Sequence, residues 1–309
     1  MKTISATTDS GAGSGTASRT ALTALAPVVW GTTYVVTTEL LPPGHPFFSG
    51  LLRALPAGLI ALALTRTLPS GAWWGRAAVL GVLNIGMLFA MLFVAAERLP
   101  GGVAATLGAS QPLIVAVLAV AVLGERPSAW RFAWGVVGVV GVGLVVIGPD
   151  AAFDGPGILA GLAAAASMAL GVTLTKRWGR PEGTGPTAFA GWQLTAGGLF
   201  LVPVTFLFEG PPPAIDVTGA LGYLWLGLVG GLAAYVVWFR GLKTLPVTSV
   251  AVLALLSPVV AALLGAILLG QTLGPIQLLG FALSLAAIVA GQFSPRFSAP
   301  KLTAERTAR

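Results

Sequence analysis

Apolar residues along this chain fall into ten blocks of about twenty, parted by short polar gaps. A hydrocarbon core of ~30 Å needs roughly 20 apolar residues per helix. The predicted spans run roughly 20–38, 46–65, 73–95, 101–123, 130–147, 156–175, 187–207, 219–240, 247–269 and 275–293. No gap between them is long enough to hold a soluble domain, so the expected fold class is all-α and integral to the membrane, with ten transmembrane helices. Residues 1–19, rich in Ser, Thr, Gly and Ala, read as a disordered tail, and residues 294–309 as a basic one. The first apolar block lacks the basic lead-in and the cleavage site of a signal peptide and is expected to stay as a span.

Composition strengthens that picture. Of 309 residues, 56% are hydrophobic and 9% charged, against about 25% charged in a soluble domain. Such a chain would expose more apolar surface than water tolerates, so its solvent is lipid. The absence of Cys excludes disulfides, thiolate metal sites and Cys nucleophiles. A net charge of +7 fits a nucleic-acid partner only where the cations share a face. Here they are scattered through the short gaps, as topology signals are. The expected partners are a lipid bilayer and a small-molecule substrate, with no nucleic acid. A monomer and a homodimer both fit, and no cofactor or metal is expected.

Those cations also orient the chain. With the N-terminus inside, one side collects Lys2, Arg19, Arg66, Arg76, Arg126, Arg131, Lys176, Arg177, Arg180, Arg240, Lys243 and the C-terminal cations, whereas the other holds Arg98. Cytoplasmic loops carry the excess of Lys and Arg. Both termini are therefore expected in the cytoplasm of a multi-pass protein of the inner or plasma membrane.

The blocks repeat. Leu99–Glu125 and Leu245–Gln271 are near copies at an offset of 146, which sets Pro100 on Pro246, Pro112 on Pro258 and Gly124 on Gly270. Leu80 and Phe93 fall on Leu226 and Phe239 at the same offset. At an offset of 140, Gly31 falls on Gly171, Pro46 on Pro186, Arg53 on Gln193 and Gly58 on Gly198. Five spans per copy is an odd number, so the second copy (156–293) must enter the membrane from the side opposite the first (20–148). Loop charge agrees: the loop with Arg66 and Arg76 has a counterpart with Glu209 and Asp216 and no cation. Inverted repeats with interrupted spans at matching positions point to a transporter substrate site.

Trp30-Gly31 in the first span, Arg53 in the second, YVVWFRGLKTLP (Tyr235–Pro246) in the eighth, and Pro-centred spans ending LGER (Leu123–Arg126) and LGQ (Leu269–Gln271) occur in a particular order. That order resembles the drug/metabolite transporter superfamily, specifically its EamA-type members, over about residues 20–293. The resemblance implies a ten-helix bundle with a central cavity and alternating access. It implies cargo among small metabolites, amino acids or drugs, frequently moved outward. Gln271 departs from the Glu common in the family.

Several residues could form the site. Pro112 and Pro258 each remove a helix hydrogen bond and free carbonyls for a polar ligand; Ser110, Gln111 and Ser257 add polar groups at the same depth. Arg53 is the one ionisable residue well inside a span, roughly 10 Å below the outer boundary at ~1.5 Å per residue. A cation there costs roughly 2.5 kcal/mol or more and faces a cavity or a partner unless it snorkels to the headgroups. It could fix helix contacts or attract a substrate carboxylate. Gln193, beside Trp192, occupies the symmetric position, and Asn84 lies mid-span; amides at such depth commonly bond to a neighbouring helix. Trp30, Tyr235 and Trp238 could supply stacking walls, or pack against lipid. Glu39, at the outer end of the first span, is the carboxylate available to pair with Arg53 or to couple protons.

The expected function is a non-enzymatic transporter of small metabolites or drugs, an exporter working by alternating access. Two other readings stay open: an integral-membrane enzyme on lipid-linked substrates, and a channel or structural membrane subunit. The first needs clustered acids, His or metal ligands near one face, and the sequence offers no such constellation.

Overall fold

The computed structural model describes residues 11–124, 129–146, 154–238, 253 and 256–292. Among them there is no strand. Seven stretches are long and apolar enough to cross a bilayer: Ser18–Leu40, Pro46–Thr65, Trp73–Arg98, Gly101–Leu123, Gly155–Trp178, Pro186–Phe208 and Val217–Trp238. Three shorter apolar helices, Ala133–Val145, Leu256–Leu269 and Pro275–Ala290, occupy the stretches expected for the fifth, ninth and tenth spans.

The helices are α1 (Gly11–Gly31), α2 (Thr33–Leu40), α3 (Pro46–Thr65), α4 (Trp73–Gly81), α5 (Leu88–Arg98), α6 (Gly101–Ala109), α7 (Gln111–Leu123), α8 (Ala129–Val146), α9 (Gly155–Trp178), α10 (Pro186–Phe208), α11 (Val217–Leu224), α12 (Leu256–Leu269) and α13 (Pro275–Gln292). Their boundaries correct two expectations. Part of the tail expected to be disordered, 11–19, is helical, because no proline before Pro27 stops the backbone ladder from propagating outward. The first span is broken at Thr32, whose hydroxyl and amide both donate to Val29 O, at 2.7 and 3.1 Å. That i−3 pairing tightens the turn between α1 and α2.

Two π-helical segments, Val82–Met87 between α4 and α5 and Trp225–Ala233 after α11, interrupt otherwise α-helical rods. Residues 82–87 fall on 228–233 at the offset of 146, so the π turns overlap in the repeat. Wide turns of this kind are rare and frequent at functional sites.

The molecule is apolar outside and partly polar within. Leu207 is 80% and Leu64 72% exposed, while Thr33, Ser49, Arg53, Asn84, Thr106 and Gln193 are buried. This inversion is what a lipid solvent selects, since hydrogen-bonding groups must find partners inside the bundle.

Helices from the first half of the chain pack on helices from the second: α3 along α10, α8 along α13, α5 along α9 and α6 along α12. Glycine sets the closest of these approaches. A Cβ on Gly58 would stand 2.5 Å from the Thr195 amide nitrogen, and one on Gly198 would stand 2.8 Å from Leu55 Cα. Residues 58 and 198, like 55 and 195, are 140 apart, so α3 and α10 touch reciprocally. Small residues permit such backbone contact between membrane helices.

Acids fasten one end of the bundle. Glu209 accepts from the Phe47 and Phe48 amides at 2.6 and 2.9 Å, closing the orphan donors at the start of α3. Asp154 caps α9 by accepting from Gly157 N at 2.8 Å and pairs with Arg98 at 3.0 Å. Asp216 caps α11 through Gly219 N at 2.7 Å.

Candidate functional site

Arg53 sits on α3 and is only 4% exposed, so it does not snorkel to a headgroup layer. Nor does it pair with Glu39, which lies exposed near the end of α2. The expected ion pair fails because Glu39 is six residues beyond Thr33 on α2, and it is Thr33 that faces the guanidinium. Arg53 Nη1 donates to Thr33 Oγ1 at 3.1 Å, and the guanidinium lies over the Phe89 ring at 4.7 Å, with Phe93 at 5.9 Å. The phenol oxygens of Tyr34 and Tyr235 are within electrostatic reach. Desolvating a cation costs several kcal/mol. One hydroxyl returns about 1.5–3 kcal/mol and a desolvated ring face about 2. The Nε–H has no partner, and no carboxylate meets Arg53 among the described residues.

The aromatic candidates converge beside it. Trp30, at the end of α1, has its ring centroid 5.3 Å from Tyr235 and 5.2 Å from Trp238. Trp30 Nε1 donates to Gly230 O at 2.9 Å, in the second π segment. The three rings, drawn from both halves of the chain, thus share one wall.

A second polar crossing lies on the symmetric side. Asn84, in the first π segment, donates through Nδ2 to Gln193 Oε1 at 2.7 Å and to Thr175 Oγ1 at 3.4 Å. Gln193 Nε2 donates to Phe189 O at 3.4 Å. A Cβ on Gly171 would overlap the Asn84 amide, so the slot around it is full. Trp192 is not part of the aromatic wall. It is packed with Trp73 and Phe189 and donates to Thr67 O at 2.7 Å, away from Trp30.

The first Pro-centred span differs from a simple kink. Ser110 ends α6, its hydroxyl donating to Leu107 O at 2.6 Å, and α7 restarts at Gln111 with Pro112 in its first turn. Gln111 lines a cavity of roughly 40 Å³ with Tyr34 and Gly108. Tyr34 therefore links Gln111 to the Arg53 surroundings. Ser257 and Pro258 lie in the first turn of α12, where the Ser257 carbonyl meets Gly31 of α1. The departure at Gln271 has a structural role: its Oε1 accepts from Gly101 N at 3.0 Å beside a cavity of roughly 270 Å³. Expectations resting on Glu125, Arg126, Arg240 and Lys243 fall outside the described residues.

A model described as the EamA-like transporter family matches residues 19–147 and again 155–290. The chain belongs to the EamA-like transporter family. It is 45% identical to "Protein PecM" of Dickeya dadantii over 89% of this chain and 93% of that one. It is 29% identical to a "Probable amino-acid metabolite efflux pump" of Salmonella typhimurium, over 89% and 95%. Among solved structures, one crystal structure aligns with 92% of this chain and 99% of its own, at a TM-score of 0.63 and 21% identity, a likeness of fold.

For this EamA-family membrane transporter, sequence reasoning missed Thr33, Tyr34, Phe89 and Phe93. Each reads as an ordinary packing residue in a hydrophobic span. A usable signal existed for Thr33, which falls on Thr173 at the offset of 140, as Arg53 falls on Gln193.

Proposed function

We propose that this chain is an alternating-access carrier that exports small metabolites, amino acids or related compounds among them, across a bacterial inner membrane. It crosses the bilayer ten times as two inverted five-helix copies, 20–148 and 156–293, with both termini in the cytoplasm. Support comes from the reciprocal α3–α10 contacts, from the overlapping π turns and from the family model matching twice. The efflux name of the Salmonella typhimurium relative supports the direction.

The observation that carries the reading is Arg53. Its guanidinium is buried, incompletely satisfied and flanked by elements of both halves. Such a group rocks between two water-filled faces when the halves move against each other. Trp30, Tyr235 and Trp238 hold the body of the cargo, while Gln111 contributes through the cavity it shares with Tyr34. Asn84 and Gln193 tie the halves together on the symmetric side, with Trp192 as packing. Pro112, Ser257 and Pro258 serve as the breaks about which α7 and α12 move. Glu39 and Gln271 lie outside the binding pocket.

Counterflow in proteoliposomes tests this. Purified protein preloaded with a broad metabolite panel should accelerate exchange of a labelled member with saturation. Gln111→Ala and Tyr235→Ala should each change its apparent affinity while inserting normally. A panel that yields no protein-dependent counterflow contradicts the carrier reading.

A further inference from the structure

The two polar crossings are the same place in the two copies. Arg53 falls on Gln193 at the offset of 140, and Asn84 falls on Gly230 at 146. Each crossing therefore joins the second span of one copy to the π turn of the other. At the first, an amide fills the slot: Asn84 reaches Gln193 at 2.7 Å. At the second, the residue facing Arg53 has no side chain. A Cβ built on Gly230 would stand 3.9 Å from Arg53 Nη2, 3.7 Å from Trp225 O and 4.0 Å from Val29 Cγ1, all ordinary contacts. A Cβ would fit there in ordinary contact, so glycine is not demanded by packing.

Nη2 is the guanidinium atom nearest that missing side chain. Nη1 is committed to Thr33, and Nε is an orphan. Nε–H and the outer Nη2–H point the same way and form the side-on fork that takes both oxygens of a carboxylate. Glycine at 230 leaves the position beside Nη2 without a side chain, and Trp30, held to Gly230 O, stands beside it.

Resting on the carrier reading, we infer that Gly230 opens an anion slot on Arg53, and that the cargo is a planar monocarboxylate whose carboxylate takes the place Asn84 fills in the other crossing. The charge is single because Arg53 is the one cation at that depth among the described residues. A dianion would leave a bare negative charge in a low-dielectric interior. The ring wall of Trp30, Tyr235 and Trp238 selects a flat body.

The test compares purified full-length protein with matched probes: benzoate against benzamide, and indole-3-acetate against indole-3-acetamide. Binding is read from ligand-dependent melting in detergent. The carboxylates should bind at least about tenfold more tightly than their amides, the cost of leaving a buried charged donor unpaired. Gly230→Asn, which puts an amide in the slot, should lower carboxylate affinity by a similar factor. Arg53→Lys should do the same by replacing the fork with a point charge. Asn84→Ala should bind like the parent. Equal binding of amide and acid, no carboxylate binding by the parent, or parent-like binding by Gly230→Asn overturns the slot. Size-exclusion profiles verify that the variants fold. Counterflow of a neutral metabolite without carboxylate binding leaves the carrier and removes the slot. Carboxylate binding without counterflow of any metabolite does the reverse.

Discussion

The Asn84 and Arg53 crossings occupy equivalent positions in the repeat yet are built for opposite ends. Around Asn84 and Gln193, neutral amides bond to each other and to Thr175, and Gly171 presses against them, so the space is closed. Around Arg53, a charge meets one hydroxyl and two ring faces, and the facing residue is Gly230. Each crossing keeps one buried atom without a partner, Asn84 Oδ1 and Arg53 Nε; an unpaired neutral carbonyl costs less than a buried charge short of partners, which persists where something else supplies them. On the proposed reading, the two copies divide the work: one crossing holds the halves together while the other binds.

The largest way to break the contrast is to remove the charge. Arg53→Gln should lower transport in proteoliposome counterflow by tenfold or more, with insertion unchanged, whereas Asn84→Ala should keep transport within a few-fold. Comparable losses in both would erase the distinction.

The next prediction concerns the contact between the crossings. Gly58→Val and Gly198→Val each drive a side chain into backbone of the partner helix. Each should destabilise by about 1–3 kcal/mol in detergent melting. Near-equal values would sharpen the two-fold relation between α3 and α10.

Asn84→Ala leaves the buried Gln193 carbonyl without its 2.7 Å donor. A cost of about 1–2 kcal/mol follows, measurable by denaturant titration of the purified protein.

The smallest effect lies at the surface. The Gly157 amide, together with Arg98, holds the Asp154 carboxyl below its ordinary value of 3.8. That contribution to stability is present above the ordinary value and disappears as pH falls through the depressed one. Asp154→Asn should flatten the acid limb of the melting curve slightly by lowering stability at neutral pH, the variant and the parent converging as pH falls through the depressed value.

The sequence made the helices legible because length and hydropathy alone set them: 46–65 corresponds to Pro46–Thr65, and 73–95 runs on to Arg98. It did not reveal the break at Thr32 or the two π segments, since a change in hydrogen-bond register leaves hydropathy untouched. The repeat offsets carried more. They pair Arg53 with Gln193 and Asn84 with Gly230, although which residues bond to each other is invisible in them. Depth along a helix is written in the sequence, but rotation about its axis is not. Hence Arg53 stands out in the sequence, while its partner Thr33 does not, and Trp192, a candidate beside Gln193, packs instead against Trp73 and Phe189.

Because the chain contains no Cys, single thiols can compare the crossings directly. Gly230→Cys and Asn84→Cys would be exposed to a membrane-impermeant maleimide in right-side-out and in inverted vesicles. The account predicts that position 230 reacts from both sides and that position 84 reacts from neither. Equal labelling of the two positions, or a thiol at 230 that is unreactive from both sides, would contradict it.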